Sequence, residues 1–255
     1  DYQRPGAEAR MESQIPRKPI KGTWHEQLQR GSLWLQSMFR DELTPLRAGL
    51  EKAGVNLSEL PPSKNPVELA VAFADKAGAK AREFVVNNTT DLAGNVTGPG
   101  LKEVVAPVAK DIKEFTRWMV SYRALDLFKR DINPGIEKVD AEYVFEKYDS
   151  PEWRKVADDI TAWNGRIMDY LVEAGGMEKE TADLMRKLNP VYIPFMRAFA
   201  EGEQAVGGGG LGKGLTQAGK PIKGIKGSSR EIIDPIESMI QQAQRVISSA
   251  QKTMI

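Results

Sequence analysis

The 255-residue chain contains no cysteine. That excludes disulfide staples, thiolate nucleophiles, cysteine-based zinc sites and cysteine-ligated iron–sulfur clusters. It contains a single histidine, His25, which leaves almost no room for a Ser-His-Asp triad or a two-histidine metal site. An excess of one charge is missing too, with 36 Lys+Arg against 35 Asp+Glu. Near-neutrality argues against a polyanion-coating protein, so any nucleic-acid contact has to come from a local basic patch. No apolar run approaches the roughly 18 residues of a transmembrane helix. The start, Asp1-Tyr2-Gln3-Arg4-Pro5, is not a signal peptide. With 41% hydrophobic and 28% charged residues the composition is that of a foldable chain, and it names no function. The start at Asp1 and the stop at Ile255 within a helical pattern suggest a piece of a longer polypeptide.

Extended strands are scarce as well: no segment alternates polar and apolar residues over any length. The expectation is an all-α multi-helix bundle with an extended N-terminal arm and a Gly/Lys-rich loop before the last helix. Residues 1–22, with Pro5, Pro16, Pro19, Arg17, Lys18 and Lys21, read as the basic arm. Residues 23–100 form an N-terminal helical region. It starts at a capping box of Thr23 and Glu26, breaks near Pro45 and stops at Gly54. A linker, Leu60 to Pro66, leads to a helix over 67–86, and Asn87 to Gly100 is a loop. Residues 101–200 form a central bundle, beginning with a helix from about Leu101 to Arg130 that Pro107 perturbs.

The clearest pattern starts at Ser150-Pro151, a cap followed by proline at the first helical position. Trp153, Val156, Ile160, Trp163, Ile167 and Tyr170 then recur at spacings of three and four, a sustained apolar seam ended by Gly175-Gly176. A shorter helix, about Lys179 to Leu188, closes at Asn189-Pro190. The next stretch, through Pro194 to Arg197, cannot be helical at both prolines. Residues 201–229 are a flexible basic linker or loop, and 230–255 hold a last helix. Asp234-Pro235-Ile236-Glu237 supplies its cap, first-turn proline and acidic third residue. Its seam is Ile236, Ile240, Ala243, Ile247, Ala250 and Met254.

Each candidate for chemistry has a plainer alternative. Gly207-x-x-x-x-Gly212-Lys213 mimics a phosphate loop, but Gly214 stands where a magnesium-binding hydroxyl is required, and no strand precedes it. Nucleotide hydrolysis is rejected. The same loop could contact nucleic acid non-specifically through Lys213, Lys220, Lys223, Lys226 and Arg230, although it lacks aromatics for stacking; a solubilising linker is the simpler reading. His25, in a helix's first turn, reads as a neutral packing residue. Asp158, Asp159 and Asp183 read as solvated surface and not as an acid–base pair. Tyr192, Phe195 and Arg197 lie in an apolar segment that is either a packing strap or a docking surface. On the residues alone, the strap is favoured. The residues call for no cofactor and no metal site.

Five stretches in order resemble one family. They are Arg123 to Phe128, Pro151-Glu152-Trp153 with Trp163-Asn164, Glu173 to Met177, Asn189 to Arg197, and Gly227 to Ser238. Together, over about residues 115–255, they resemble a helical domain of the large polyvalent-protein-associated type, found in long multidomain proteins of tailed bacteriophages and other mobile elements. The resemblance implies a non-enzymatic structural or interaction module with no catalytic residue to carry over. It also implies residence in the virion and then the host cell, and partners among the other domains of one long polypeptide or other virion proteins. The two seams, on 153–170 and 236–254, are filled within the chain or make a homo-oligomer; the residues leave both open. Two alternatives remain: an internal virion or ejection protein touching DNA through the basic loop, and a carboxylate-based metal-dependent enzyme.

Overall fold

The structure, a computed structural model, describes residues 6–14, 47–61, 63–194, 232 and 234–254. It is mostly helical, with one small two-stranded hairpin. In chain order the elements are α1 (Ala7–Gln14), α2 (47–52) and α3 (Pro66–Val86), then strands β1 (Asn88–Thr90) and β2 (Val96–Pro99). There follow α4 (Leu101–Val104), α5 (Ile112–Phe128), α6 (Lys138–Tyr148), α7 (Pro151–Glu173), α8 (Lys179–Leu188) and α9 (Pro235–Thr253).

The punctuation read from the residues sets several of these bounds. Ser150 Oγ accepts from the Trp153 N–H at 3.2 Å, and Asp234 caps α9 by accepting from Ile236 at 2.8 Å. Gly175, at φ +75°, ends α7 in a conformation that suits glycine. From the α7 seam, Val156, Ile160, Trp163, Ile167 and Tyr170 are buried, and Trp153 is partly so. They pack in one apolar cluster with Phe84 and Val85 of α3, Phe115, Trp118 and Met119 of α5, and Ile236, Ile240 and Ile247 of α9. Both seams are therefore filled within the chain. The chief contacts of α9 are with α3 and α7, and it is enclosed on nearly every side: Ser238, Gln242, Gln244, Ser248 and Gln251 are as buried as its apolar residues.

Four sequence expectations are corrected, and one helix that the sequence reading did not name is added. Residues 7–14 of the supposed extended arm are a helix. Met11 is buried against α5 and α6, and Arg10 grips the buried Asp140 through two bonds of 2.7 Å. A helix this short is unstable alone, so the partner 130 residues away supplies what local sequence cannot. The loop from Asn87 to Gly100 contains the hairpin. The single helix from Leu101 is broken: a 3-10 stretch, Ala106–Asp111, separates α4 from α5 where Pro107 denies an N–H to the helix. The periodicity did not single out α6, whose inward face mixes Asp140 with Ala141 and Val144. Met254 is 43% exposed, so the α9 seam ends at Ala250. The expected helix start at Thr23, His25, and the basic linker over 201–229 lie outside the described residues.

Candidate functional site

Three inward-facing polar residues, Arg123 of α5, Asn164 of α7 and Gln242 of α9, converge on the segment after α8. Arg123, on the buried face of α5, is 1% exposed. One of its terminal nitrogens donates to Asp126 Oδ2 at 2.6 Å and to the Val191 carbonyl at 2.7 Å; the other donates to Asn189 Oδ1 at 2.8 Å. Arg130 adds a bond to the same Asn189 oxygen at 2.9 Å. From α7, Asn164 Nδ2 donates to the Tyr192 carbonyl at 3.2 Å. From α9, Gln242 Nε2 donates to the Tyr192 hydroxyl at 2.9 Å. Ile193 beside it is fully buried in the main core.

This is a clasp. Pro190 cannot donate, and Asn189-Pro190 cannot continue a helix, so the segment's carbonyls need partners from elsewhere. Arg123 and Asn164 provide them. Burial pulls the Arg123 guanidinium below its ordinary pKa, while Asp126 opposes that shift. Burial raises the Tyr192 phenol, with Gln242 opposing. Arg123 Nε and Asn164 Oδ1 are buried without a partner among the described residues, so the clasp is not fully satisfied.

Beside the clasp, α5, α6 and residues 190–191 enclose a groove of about 470 Å³. Tyr122, Leu125, Phe128, Phe145, Pro190 and Val191 form its apolar walls, with Asp126, Lys129, Lys138 and Glu142 completing the lining. The aromatic wall is rigid: Tyr122 stacks on Phe145 at 5.6 Å between centroids, and Trp118 stacks behind both at 5.0 and 6.1 Å. Burial raises the Tyr122 pKa.

Of the sequence candidates, Tyr192 is in the clasp, and the α7 seam is core. Phe195, Arg197, Lys213, Lys220, Lys223, Lys226 and Arg230 lie outside the described residues. Asp158, Asp159 and Asp183 lie outside the clasp and the groove; Asp159 pairs with Lys155 and Asp183 with Arg186 on helix surfaces. Sequence reasoning missed Arg123, Asn189 and Gln242 as a set. Their only local signal was an arginine and a glutamine on otherwise inward-facing helix positions. Among the described residues, no three His, Cys, Asp or Glu side chains are grouped to hold a metal ion, and no helix is long and apolar enough to cross a membrane. No family model, curated protein or solved structure matches the chain.

Proposed function

We propose that the chain is a non-enzymatic structural and interaction module of a long phage-type polyvalent protein, carried in the virion and delivered to the host cell. The observation that carries this reading is the clasp. Arg123, Asp126, Asn164, Asn189 and Tyr192, which belong to the stretches of the family resemblance, meet in space and hold a segment down. Their polar groups bind one another and the backbone, which is the chemistry of positioning and not of turnover. Partners are other domains of the same polypeptide or other virion proteins.

One observation favours a second reading, non-specific DNA contact by an internal virion protein. Lys213, Lys220, Lys223, Lys226 and Arg230 lie in sequence between Ile193 and Ile232, which are both fully buried. Five cations with no acidic residue among them attract the phosphate backbone without regard to sequence.

Solution mass by light scattering, at low and high salt and with a short DNA duplex, separates the two. The module reading expects a mass indifferent to DNA. A mass gain with DNA at low salt that disappears on neutralising the four lysines would replace it with the second reading.

A further inference from the structure

We infer that the face of α5 and α6 beneath α1 is a helix-acceptor site that takes α1 of a second copy in exchange for its own. This names one partner for the interaction-module reading and rests on it. What the site recognises is on view, because α1 occupies it. At about 100° per residue, Ala7 and Met11 fall on one line of the helix, with Glu8 and Glu12 on one flank and Arg10 on the other. Ala7 and Met11 are each 1% exposed. Met11 packs in one cluster with Val120 and Ala124 of α5, Ala141 and Val144 of α6, and Ile136; its sulfur accepts from Ser121 at 3.4 Å.

Both flanks meet complementary charge. Glu8 faces Lys147 and accepts from the Tyr148 hydroxyl at 2.8 Å, and Glu12 faces Arg117 at 3.3 Å. On the other flank Arg10 meets Asp140 at 2.7 Å. Turning α1 end for end would exchange its flanks, setting Arg10 against Arg117 and Lys147 and a glutamate against Asp140. The site therefore specifies the polarity of the helix as well as its apolar anchor.

Three features make the contact exchangeable. Eight residues are too few to hold a helix without a partner. The pairs at Glu8 and Glu12 are partly open to solvent, so each is individually weak. The partners of α1 lie 110 to 140 residues away in sequence, so side-chain chemistry and not chain continuity selects the occupant. When α1 lifts, it uncovers an apolar floor and the Asp140 carboxylate. Helix α1 of another copy carries the same anchor, the same charges and the same polarity. Reciprocal exchange restores these contacts in both copies, which is a low-cost route to a dimer.

The test uses two full-length variants. Glu8→Lys/Glu12→Lys sets like charges across its own site, and so does Arg117→Glu/Lys147→Glu; each variant's α1 then matches only the other's site. Alone, each is expected at the mass of one chain in light scattering. An equimolar mixture should approach twice that mass, with a dissociation constant at least about tenfold below that of either variant alone, the scale of several exposed pairs regained together. Met11→Ser in both variants keeps every charge and removes the apolar anchor, so it should abolish the gain. Should Arg117→Glu/Lys147→Glu not fold, Glu8→Lys/Glu12→Lys, whose acceptor face is unchanged, decides alone. An end-blocked peptide of residues 6–14 should then shift its Val120 and Val144 methyls in NMR, and the same peptide carrying Met11→Ser should not. A mixture that stays at one-chain mass with both variants folded, a gain that survives Met11→Ser, or methyls indifferent to the peptide would each overturn the inference. The interaction-module reading would then keep other polypeptides as its partners. A DNA-dependent mass gain by the parent chain would instead remove that reading and leave the exchange standing.

Discussion

Arg123 donates to the carbonyl of Val191 across 68 residues of chain, at 2.7 Å and out of contact with solvent. An interior guanidinium is tolerated because its terminal nitrogens find a carboxylate, a carbonyl and an amide oxygen. Replacing Arg123 by Met keeps much of the volume but strands those acceptors. The expected loss is about 3–5 kcal/mol, read as a lower midpoint in urea. Arg123→Lys should recover less than half, since one ammonium cannot reproduce the fork. A Met variant within 1 kcal/mol of the parent, on the scale of an ordinary exposed substitution, would mean that packing alone holds the segment.

Two tyrosine hydroxyls fix the position of α9. Tyr192 accepts from Gln242 at 2.9 Å, and Tyr170 accepts from Gln251 at 2.8 Å. The pairs are more than two helical turns apart, so sliding the helix by a turn breaks both together. Tyr192→Phe and Tyr170→Phe should each cost about 1 kcal/mol, and the double variant about their sum. Amide exchange along α9 is the finer readout. Retained protection in the double variant would show that apolar packing sets the register unaided.

Asp234 carries a pH effect of unusual sign. Burial pushes its carboxyl up to about 6, against the 3.8 of a free aspartate, although the Ile236 and Glu237 N–H groups oppose the shift. The folded form then holds its proton more tightly than the unfolded form. This contribution is therefore favourable at about pH 4 and is lost as pH rises toward 6. Asp234→Asn keeps a capping oxygen without the buried charge. It should stabilise the protein by on the order of 2 kcal/mol at pH 7.5, with the gap closing near pH 4. Paired thermal melts at the two pH values decide it, and a gap that is equal at both removes the argument.

Among the contacts that hold the N-terminal helix, which include Glu8 with Lys147 and Tyr148 and Glu12 with Arg117, the Arg10–Asp140 pair has the most deeply buried partner. Arg10 is about half exposed and Asp140 is 2% exposed, so the carboxylate is the partner with more to lose. Asp140→Ala should release α1, exposing Met11 and costing about 2–4 kcal/mol. Hydrogen exchange over residues 7–14 should accelerate while α7 and α9 stay protected. Uniform acceleration instead would place α1 within the global unfolding unit.

What could be read from residues alone tracks how local each cause is. The cap at Ser150-Pro151, the Asp234-Pro235 start and the Asn189-Pro190 stop act within a turn, so α7, α8 and the beginning of α9 were legible. Helix α1 and the clasp depend on partners far along the chain: Arg10 needs Asp140, and Arg123 needs Asn189 and Val191. An arginine in a helix reads as solvated until its acceptors are known. The enclosure of α9 on several faces was hidden for the same reason. Its serines and glutamines look like a surface until α3 and α7 close over them. Of the candidate site, Tyr192 was visible by its place between two prolines, and the groove was not, because its walls come from three separate segments.

The hairpin offers the most local test of tertiary fit. A Cβ on Gly98 would lie 2.7 Å from the guanidinium carbon of Arg166. That guanidinium is not free to swing away: it donates to Thr89 Oγ1 at 2.7 Å and to the Pro99 carbonyl at 3.0 Å. Thr89 in turn donates to the Gly98 carbonyl and accepts from Thr97, so the side chains knit β1 to β2 and both to α7. Gly98→Ala must dislodge this arrangement, at a cost of about 1–3 kcal/mol. Arg166→Ala removes the obstacle as well as the bonds, so the double variant should lose less than the two single losses combined, by about 1 kcal/mol. Strictly additive losses would mean that Arg166 moves aside freely, and that the hairpin is held by its own strand pairing and not by α7.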